Sequence, residues 1–293
     1  MKRVLITGAN SYVGTNVEQW LLKRPGEFLV DTVDTFNNNW KTADFSQYDS
    51  VFHVAGIAHV DPKPEMAPLY YKVNSELTVE IAKWAKEKGV KQFIFMSSEI
   101  VYHASKSLKP HIITPETKPN PNDFYGDSKL QAEKGLHEIK SPDFKIAVLR
   151  PPMIYGPNCK GNFLRLGWLG TKTPLFPAWH NKRSMLFIDN LAEFVRQIIL
   201  REQDGTFYPQ NKELSDTVEI VRFFAHKYNH KIWISKLFNP FVVIGSWFLP
   251  QVPKMFADSY YDPTMSQYEF DYQLTSLAES MKELEVSEEN RHL

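Results

Sequence analysis

The hydrophobic positions of the first 150 residues alternate between short apolar runs and longer amphipathic stretches. Strand-like runs occur at Val4–Ile6, Phe28–Val33, Ser50–Val54, Gln92–Met96 and Lys145–Leu149. Helical periodicity is found at Val13–Leu22, Leu69–Lys88 and Tyr125–Ile139. Apolar strands that alternate with helices are typical of a parallel sheet covered on both faces. The pattern therefore predicts an α/β fold with a doubly wound parallel sheet.

This alternation ends after Arg150. Prolines and glycines crowd residues 151–177, and residues 206–275 are irregular and rich in aromatic side chains. Between them, a strand-like run at Met185–Ile188 precedes a helical stretch at Asn190–Arg201, and a solvated helix is expected after Leu277. We expect a large domain at residues 1–155, to which residues 184–203 return. A smaller C-terminal lobe would comprise residues 156–183 and 204–293.

Charge and cysteine content exclude several classes of function. Lys+Arg and Asp+Glu both number 34, whereas a nucleic-acid binder or a polybasic membrane anchor needs a basic face. We expect no nucleic-acid partner. The one cysteine, Cys159, cannot form an intrachain disulfide, which favours a reducing cytoplasm, and the apolar run after Met1 is too short for a signal peptide. No Cys/His cluster has zinc-ligand spacing, so no metal is expected.

Aromatic residues are concentrated in the C-terminal part of the chain. Residues 223–272 contain 14 of them, about twice the average density. The apolar stretch Phe238–Leu249 is too short to span a bilayer. We expect the aromatic segment 223–272 to pack the lobe and partly wall a substrate pocket. For its most apolar piece, Phe241–Leu249, the alternative is a surface for a membrane or a partner enzyme.

A glycine-containing turn joins the first strand to the first helix. Residues 7–14 read Thr-Gly-Ala-Asn-Ser-Tyr-Val-Gly, in which Gly8 permits a tight turn and Gly14 permits close helix packing. The amides at the helix N-terminus would then face a pyrophosphate. Ser11 stands where the usual middle glycine is expected, and its small side chain still allows close approach. The turn predicts a Rossmann-type dinucleotide site.

Asp34 follows the second strand and refines this prediction. A carboxylate about 20 residues after the glycine turn accepts hydrogen bonds from the adenosine ribose and repels a 2′-phosphate. Asp34 therefore favours NAD over NADP. Asp31 is a competing position, but Val33 completes the apolar run, and so Asp34 is preferred.

A tyrosine and a lysine four residues apart are the candidate proton-transfer pair. Tyr102/Lys106 and Tyr208/Lys212 have this spacing but lie in loop-like sequence. Tyr125 and Lys129 open a clean helical pattern, which puts both side chains on one face. A nearby ammonium lowers the pKa of a phenol, and the phenol can exchange a proton while hydride moves to or from nicotinamide. Ser98, at the end of the fourth strand, is the candidate that orients the substrate oxygen.

Together these residues resemble the extended short-chain dehydrogenase/reductase family, in its nucleotide-sugar epimerase/dehydratase branch. The resemblance covers about residues 1–205. It is carried by Thr7–Gly14, Phe52–Gly56, Val73-Asn74, Met96–Tyr102, Tyr125–Lys129, Arg150–Pro157 and Arg183–Asn190.

The resemblance implies roles for matching positions. The catalytic residues would be Ser98, Tyr125 and Lys129. The cofactor would contact Gly8, Asn10, Ser11, Tyr12, Val13, Gly14, Asp34, Asp44, Phe45, Val54, Ala55, Gly56, Asn74, Ser97, Tyr125, Lys129 and Pro151. Asp44 and Phe45 would flank the adenine, Asn74 would support the lysine through water, and Pro151 would contact the nicotinamide. Besides Ser98, substrate would contact Asn162, Arg183 and Phe176, the last near its base, although lobe packing is an equal alternative for these three.

Departures from the family pattern narrow the reaction. Sugar 4,6-dehydratases have a glutamate base where this chain has Ile100, so 4,6-dehydration is not expected; His103 replaces a usual glycine and is expected to be an ordinary loop residue. We expect an NAD-dependent epimerase acting at C4 of a UDP-hexose or UDP-N-acetylhexosamine. One alternative is an NAD(P)H-dependent reductase of a UDP-4-keto-6-deoxy-amino-sugar for surface polysaccharides, and another is a non-catalytic dinucleotide sensor. The resemblance also implies a homodimer through Leu69–Lys88 and Tyr125–Ile139.

Overall fold

The computed structural model describes residues 1–58, 63–103, 105–159 and 161–286, with the side chain of Asn162 outside this description. The strands are β1 (Lys2–Thr7), β2 (Phe28–Val33), β3 (Ser50–His53), β4 (Gln92–Met96), β5 (His111–Ile113), β6 (Lys145–Leu149), β7 (Met153–Tyr155), β8 (Leu175–Pro177), β9 (Met185–Phe187), β10 (Gly205–Phe207), β11 (Trp233–Ser235) and β12 (Ser259–Tyr261). The α-helices are α1 (Tyr12–Leu22), α2 (Ala67–Tyr70), α3 (Leu77–Glu87), α4 (Phe124–Ile139), α5 (Asn162–Lys172), α6 (Ile188–Leu200), α7 (Thr217–Lys227), α8 (Asn239–Phe248), α9 (Gln251–Phe256) and α10 (Leu277–Lys282).

The central sheet has six parallel strands in the order β10-β6-β4-β3-β1-β2. Its carboxyl ends therefore meet at one edge, where open α/β sheets build their sites. The predicted doubly wound parallel α/β fold is confirmed. Strand β10 adds residues 205–207 to this sheet, so part of the range 204–293, which was expected to form the lobe, pairs with β6.

Alternate residues of each strand face different helices. Val4 and Ile6 pack in one core cluster with residues of α1 and α6, whereas Leu5 packs in the other with residues of α3 and α4. This period of two explains why the strands read as continuous apolar runs, since both faces of the sheet are buried.

The helix that precedes β4 is interrupted by a π-turn. Helix α2 continues through the π-helical residues Tyr71–Glu76 into α3, with helical backbone throughout. A π-turn inserts an extra residue in one helical turn and is frequent at functional sites. Here it contains Asn74, which is fully buried.

In the C-terminal lobe α5 packs on α7, and outside the central sheet the short strands of both parts of the chain form parallel pairs. Strand β11 pairs with β8, β12 with β5, and β7 with β9. The helix expected after Leu277 exists as α10, but it is not fully solvated. Ser280 and Met281 are buried, and the Ser280 hydroxyl is hydrogen bonded to Tyr155 Oη at 2.6 Å.

The aromatic segment divides into buried and exposed parts. Phe224, Phe256, Tyr261 and Tyr272 lie in the core, as expected of lobe packing. Phe241–Leu249 does not pack into the lobe, and the surface alternative fits it, because most of its side chains are exposed and Val242 is the buried residue of α8. Within the described ranges, no helix is both long enough and apolar enough to cross a membrane.

Candidate active site

A cleft of about 280 Å³ lies beyond the carboxyl ends of β1, β2 and β3. Its lining consists of Gly8, Ala9, Ser11, Asp34, Thr35, Phe36, Val54, Ala55, Gly56, Val73 and Leu77. Gly8 has a φ of +107°, and a Cβ there would lie 2.8 Å from the amide nitrogen of Ala55. Only glycine fits this approach of two strands without displacing the backbone. The cradle thus has the shape and the backbone exposure that a dinucleotide requires.

Ser11 has a local role that its sequence position did not reveal. It is the N-cap of α1, and its hydroxyl accepts a hydrogen bond from the Gly14 amide at 3.1 Å. That amide is therefore satisfied within the turn, and the amides of Tyr12 and Val13 are the ones that a helix start offers to a pyrophosphate.

The side chains around this turn have other contacts. The Tyr12 ring turns away from the glycine loop, and a Cβ on Gly156 would lie 2.7 Å from its hydroxyl. Burial raises the pKa of this hydroxyl. Asn10 supports the turn with a positive φ of 64°, in the region that asparagine tolerates. Any cofactor contact of Tyr12 is therefore a main-chain contact.

Asp31, within β2, and Asp34, directly after it, point to different surroundings. Asp34 lines the cleft and accepts a hydrogen bond from the Phe36 amide at 2.9 Å. Asp31 accepts from the Tyr48 hydroxyl at 3.0 Å and is not among the lining residues. The geometry agrees with the choice of Asp34 as the ribose-binding candidate.

Phe45 is placed differently from the expectation. Its ring is fully buried and packs edge-on against Trp40, with ring centroids 6.3 Å apart, so it cannot flank an adenine. The neighbouring Asp44 carboxylate accepts hydrogen bonds from Ser46 and Gln47, which lower its pKa. Neither residue lines the cleft. The resemblance predicts which position of the chain matches the family, but it does not predict where the Phe45 side chain points.

Ser98 and Tyr125 are brought together by two helix starts. Ser98 caps the 3₁₀ turn Glu99–Tyr102, and Tyr125 lies in the first turn of α4, whose N-cap Asp123 accepts from Gly126 N at 2.7 Å. A Cβ at Gly126 would lie 2.7 Å from the carbonyl oxygen of Ile100, so the helix start is pressed against that turn. The Ser98 hydroxyl is hydrogen bonded to Tyr125.

The pKa of Tyr125 is raised to about 12, mainly by burial and further by Tyr70 and Asp123. The lysine-driven lowering that the sequence predicts is therefore not observed. The hydrogen bond from Ser98 lowers the pKa but does not offset burial. With this raised pKa the phenol of Tyr125 is protonated near neutral pH, and a positive charge beside it would be needed to make it a base.

Lys129 lies below the tyrosine, 5% exposed. Its Nζ donates to the carbonyl of Met96 at 2.9 Å and lies 4.8 Å from the centre of the Phe95 ring. Burial lowers the pKa of Lys129 to about 8, against the opposing effect of Glu133. The ammonium group is thus anchored to the end of the same strand that leads to Ser98.

Asn74 is next to this lysine. Its Oδ1 accepts from the Ile57 amide at 2.8 Å, and its Nδ2 donates to the Ser128 hydroxyl at 3.2 Å. A Cβ on Gly56 would lie 3.0 Å from Asn74 Oδ1 and 3.3 Å from Lys129 Nζ. Asn74 therefore ties the segment after β3 to helix α4 directly, and the water-mediated support of Lys129 that the resemblance implies stays a prediction.

A buried ionic network under the site was missed by the sequence analysis. Arg150 pairs with Glu133, and Ser97 donates to the same carboxylate. The Ser97 hydroxyl is therefore engaged with Glu133, and a cofactor contact of Ser97 stays a prediction for its main chain. The carbonyl of the neighbouring Pro151, itself buried, accepts from Glu99 N at 2.9 Å. A glutamate and an arginine on different elements carry no local spacing signal, so sequence patterns do not reveal such pairs.

The candidate substrate residues have different outcomes. Phe176 is 3% exposed and packs against Phe256, so it is a lobe-packing residue and not a pocket wall. Arg183 is half-buried and donates to the carbonyl of Lys254. Asn162 begins α5, but its side chain lies outside the described part of the chain.

Glu99 is a candidate that the sequence analysis did not identify. Burial raises the pKa of this carboxyl to about 7, and the charge of Arg183 opposes the shift. Within the described residues, Glu99 Oε2 and Arg183 Nε are buried without a hydrogen-bond partner. Two groups of opposite charge with unsatisfied atoms, one of them next to Ser98 in the chain, are candidates for contact with a ligand.

The model of the NAD dependent epimerase/dehydratase family matches residues 4–207. A UDP-glucose 4-epimerase from Vibrio cholerae is 31% identical over 255 residues, which cover 79% of this chain and 77% of that protein. An N-acetyl-alpha-D-glucosaminyl-diphospho-ditrans,octacis-undecaprenol 4-epimerase from Escherichia coli O157:H7 is 29% identical over 210 residues. These residues cover 66% of this chain and 62% of that protein.

Among solved structures, the UDP-glucuronic acid 4-epimerase from Bacillus cereus in complex with NAD is similar. Its TM-score is 0.71 at 20% identity, over 96% of both chains. A dTDP-4-dehydrorhamnose reductase from Bacillus anthracis in complex with NADP has a TM-score of 0.64 at 20% identity, over 80% of this chain and 83% of that one. These two likenesses show the same fold.

Proposed function

The chain belongs to the NAD dependent epimerase/dehydratase family, an extended short-chain dehydrogenase/reductase group of enzymes, and from this premise we propose that it inverts C4 of a diphosphate-linked hexose. The supporting observation is the juxtaposition of Ser98 and Tyr125, with the buried Lys129 ammonium one helical turn further along α4. This group lies at the same edge of the sheet as the dinucleotide-shaped cleft.

The residues divide the work of proton transfer. NAD, when bound, accepts hydride from C4 and returns it. Ser98 orients the C4 oxygen, and Tyr125 takes its proton and later gives it back, which balances the oxidation and the reduction. The positive charges of Lys129 and the bound nicotinamide would lower the raised pKa of Tyr125. Inversion follows when the 4-keto sugar presents its other face before hydride returns.

Asp34 distinguishes the epimerase from the reductase alternative. Its position in the cleft favours a ribose with two hydroxyls over one with a 2′-phosphate. A reductase must exchange its cofactor each turnover and often uses NADPH. An epimerase retains NAD, and so Asp34 supports epimerisation. The presence of Ile100 at the dehydratase base position argues against 4,6-dehydration.

The group beyond the sugar diphosphate defines two substrate classes. One is a UDP-hexose or UDP-N-acetylhexosamine, as named for the Vibrio cholerae relative. The other is a hexosamine joined through diphosphate to a polyprenol, as named for the Escherichia coli relative. Arg183 is the candidate diphosphate contact in both, because a guanidinium fork matches phosphate oxygens.

The test separates three functions. The purified protein is denatured and the released dinucleotide is identified. The native protein is then incubated with UDP-glucose, UDP-N-acetylglucosamine, undecaprenyl-diphospho-N-acetylglucosamine and a UDP-4-keto-6-deoxy sugar, with and without added NADH or NADPH. Bound NAD and C4 inversion without added cofactor are expected. Consumption of NADPH with the keto sugar alone would establish a reductase instead. Bound dinucleotide without turnover of any sugar diphosphate, soluble or lipid-linked, would indicate a sensor.

The assembly is proposed to be a homodimer in the cytoplasm. A groove of about 510 Å³ runs between α3 and α4 and is lined by residues of both helices. It contains carboxylates such as Glu76 and Glu138 together with Lys83 and Lys134. In a two-fold interface the same helix pair of each protomer is in contact, so the carboxylates of one protomer can lie opposite the lysines of the other.

A further inference from the structure

Helix α8 presents an unusually apolar surface. Six large side chains at and around it are about half exposed or more, and we term them the apolar ridge: Leu237, Phe241, Ile244, Trp247, Phe248 and Leu249. Trp247 is 71% and Phe248 75% exposed. Monomeric soluble proteins rarely leave contiguous patches of this kind in water, so the ridge marks a contact surface.

The ridge has the geometry of one helix face. Phe241, Ile244 and Phe248 are three and four residues apart, which places them side by side along α8. The opposite side is packed, because Val242 is buried and a Cβ on Gly245 would lie 3.3 Å from Val252 of α9. The helix has 10 residues and is ~15 Å long, about half the hydrocarbon thickness of a bilayer. It can lie at an interface but cannot span one.

Cationic residues flank the ridge along the chain. Residues 220–257 contain five Lys or Arg residues and no Asp or Glu, in a chain whose totals are equal. Lys231, Lys236 and Lys254 are exposed on the segments that flank α8. A second copy docked face to face would bring these like charges together. Anionic lipid headgroups would instead be complementary, with Trp and Phe at the headgroup level.

The ridge and the candidate diphosphate site are connected through α9. Lys254 lies on α9, which packs on α8, and its carbonyl accepts a hydrogen bond from Arg183. A diphosphate held by Arg183 is therefore next to α9, and a chain attached to its far side can leave along the ridge.

We propose that the apolar ridge docks on an anionic phospholipid bilayer and presents Arg183 to a lipid-anchored diphospho-sugar. This inference rests on the proposed function and selects the polyprenol-linked substrate class. Docking by aromatic side chains and lysines follows the general pattern of interfacial helices. The bilayer would keep the polyprenyl chain in lipid while the sugar reaches Tyr125.

Vesicle flotation of the full chain tests docking. We expect flotation with phosphatidylcholine–phosphatidylglycerol vesicles, less with phosphatidylcholine alone, and release at high salt. The variant Phe241→Ser/Trp247→Ser/Phe248→Ser should lose about tenfold or more in vesicle affinity, because each apolar side chain contributes to interfacial binding. The control Leu22→Ser/Leu29→Ser removes exposed leucines from α1 and β2 and should bind like the unchanged protein.

Activity separates this inference from the proposed function. With undecaprenyl-diphospho-N-acetylglucosamine in those vesicles, the ridge variant should lose turnover while retaining its bound NAD. Turnover of a UDP-sugar without vesicle binding would overturn the docking and leave the epimerase. Vesicle binding without C4 inversion of any substrate would overturn the epimerase and leave the docking. A dimer that the ridge variant abolishes, without vesicle binding, would assign the ridge to a second copy.

Discussion

The guanidinium of Arg183 donates a hydrogen bond to the main-chain carbonyl of Lys254. A carbonyl does not neutralise the cation, so its charge stays available to an anion. The charge of Arg183 also acts on Glu99, whose carboxyl has a pKa raised to about 7 by burial. A diphosphate at Arg183 would compete with Glu99 and favour its protonated form.

Replacing this arginine tests the diphosphate site. Arg183→Lys keeps the charge but loses the fork, and hydrogen bonds to charged groups contribute about 1.5–3 kcal/mol. We expect kcat/KM for the sugar diphosphate to fall about 10- to 100-fold, mainly through KM. Steady-state kinetics measure this, with Arg222→Lys as the control on the outer face of α7. Equal losses of bound NAD and of thermal stability would assign Arg183 to lobe packing instead.

Tyr125→Phe removes the proton-transfer group and leaves the ring. Since general acid–base catalysis contributes about 100- to 10,000-fold, kcat should fall by that range. Bound NAD should be retained, because the cleft is unchanged. Tyr208→Phe is the matched control, since Tyr208 and Lys212 have the same spacing outside α4. Unchanged turnover in Tyr125→Phe would contradict the proposed chemistry.

Asp34 should control the choice of dinucleotide. Asp34→Ser removes the negative charge that repels a 2′-phosphate, so the NAD-to-NADP affinity ratio should fall by about tenfold or more. Dinucleotide exchange followed by titration measures the ratio. Asp31→Ser is the control, because Asp31 bonds Tyr48 away from the cleft. The same change in both variants would argue for a general charge effect.

Buried His53 predicts acid sensitivity of the fold. It is hydrogen bonded to Thr7 and Thr78, and burial lowers its pKa to about 3. The unfolded chain binds this proton more tightly, so stability is complete above about pH 6.5 and is lost as pH falls toward 3. At about pH 5 the loss is roughly 2 kcal/mol.

Urea unfolding near neutral and at mildly acid pH measures how the free energy of unfolding changes with pH. His53→Gln should be less stable near neutral pH, and its free energy of unfolding should decrease less on acidification. His137→Gln, an exposed position on α4, should keep the slope of the unchanged protein. An unchanged slope in His53→Gln would assign the acid sensitivity to other groups.

The groove between α3 and α4 should close a dimer. Gln131→Glu/Lys134→Glu adds negative charge beside Glu138 and Glu80, so the dimer should dissociate at least about tenfold more readily. Sedimentation velocity over a concentration series measures this. Lys91→Glu, exposed before β4, is the control. A monomer at every concentration for the unchanged chain would refute the interface.

The sheet and the placement of Tyr125 and Lys129 on one helix could be predicted because their signals are local. Strand runs, the Gly8 turn and the spacing of Tyr125 and Lys129 each depend on neighbouring residues. Side-chain direction depends on tertiary packing. Phe45 and Phe176 occupy expected positions in the chain, but both rings point into the core.

The remaining features depend on residues far apart in the chain. Glu133 forms an ion pair with Arg150, which lies on a different element. The pKa of Glu99 is affected by the charge of Arg183, which lies in the other lobe. For the ridge on α8, core and contact surface both stood open, because apolar composition alone does not distinguish a buried helix from an exposed one. Tertiary structure was needed to decide each case.

The pairing of β12 with β5 affects the order in which the parts of the chain fold during synthesis. Residues 259–261 close the lobe by hydrogen bonding to residues 111–113, and Ser259 also bridges to Arg183. During synthesis the whole six-stranded sheet leaves the ribosome before β12 does. Loop closure over such a separation is slow, so the nascent chain would acquire its cofactor cleft well before its substrate pocket.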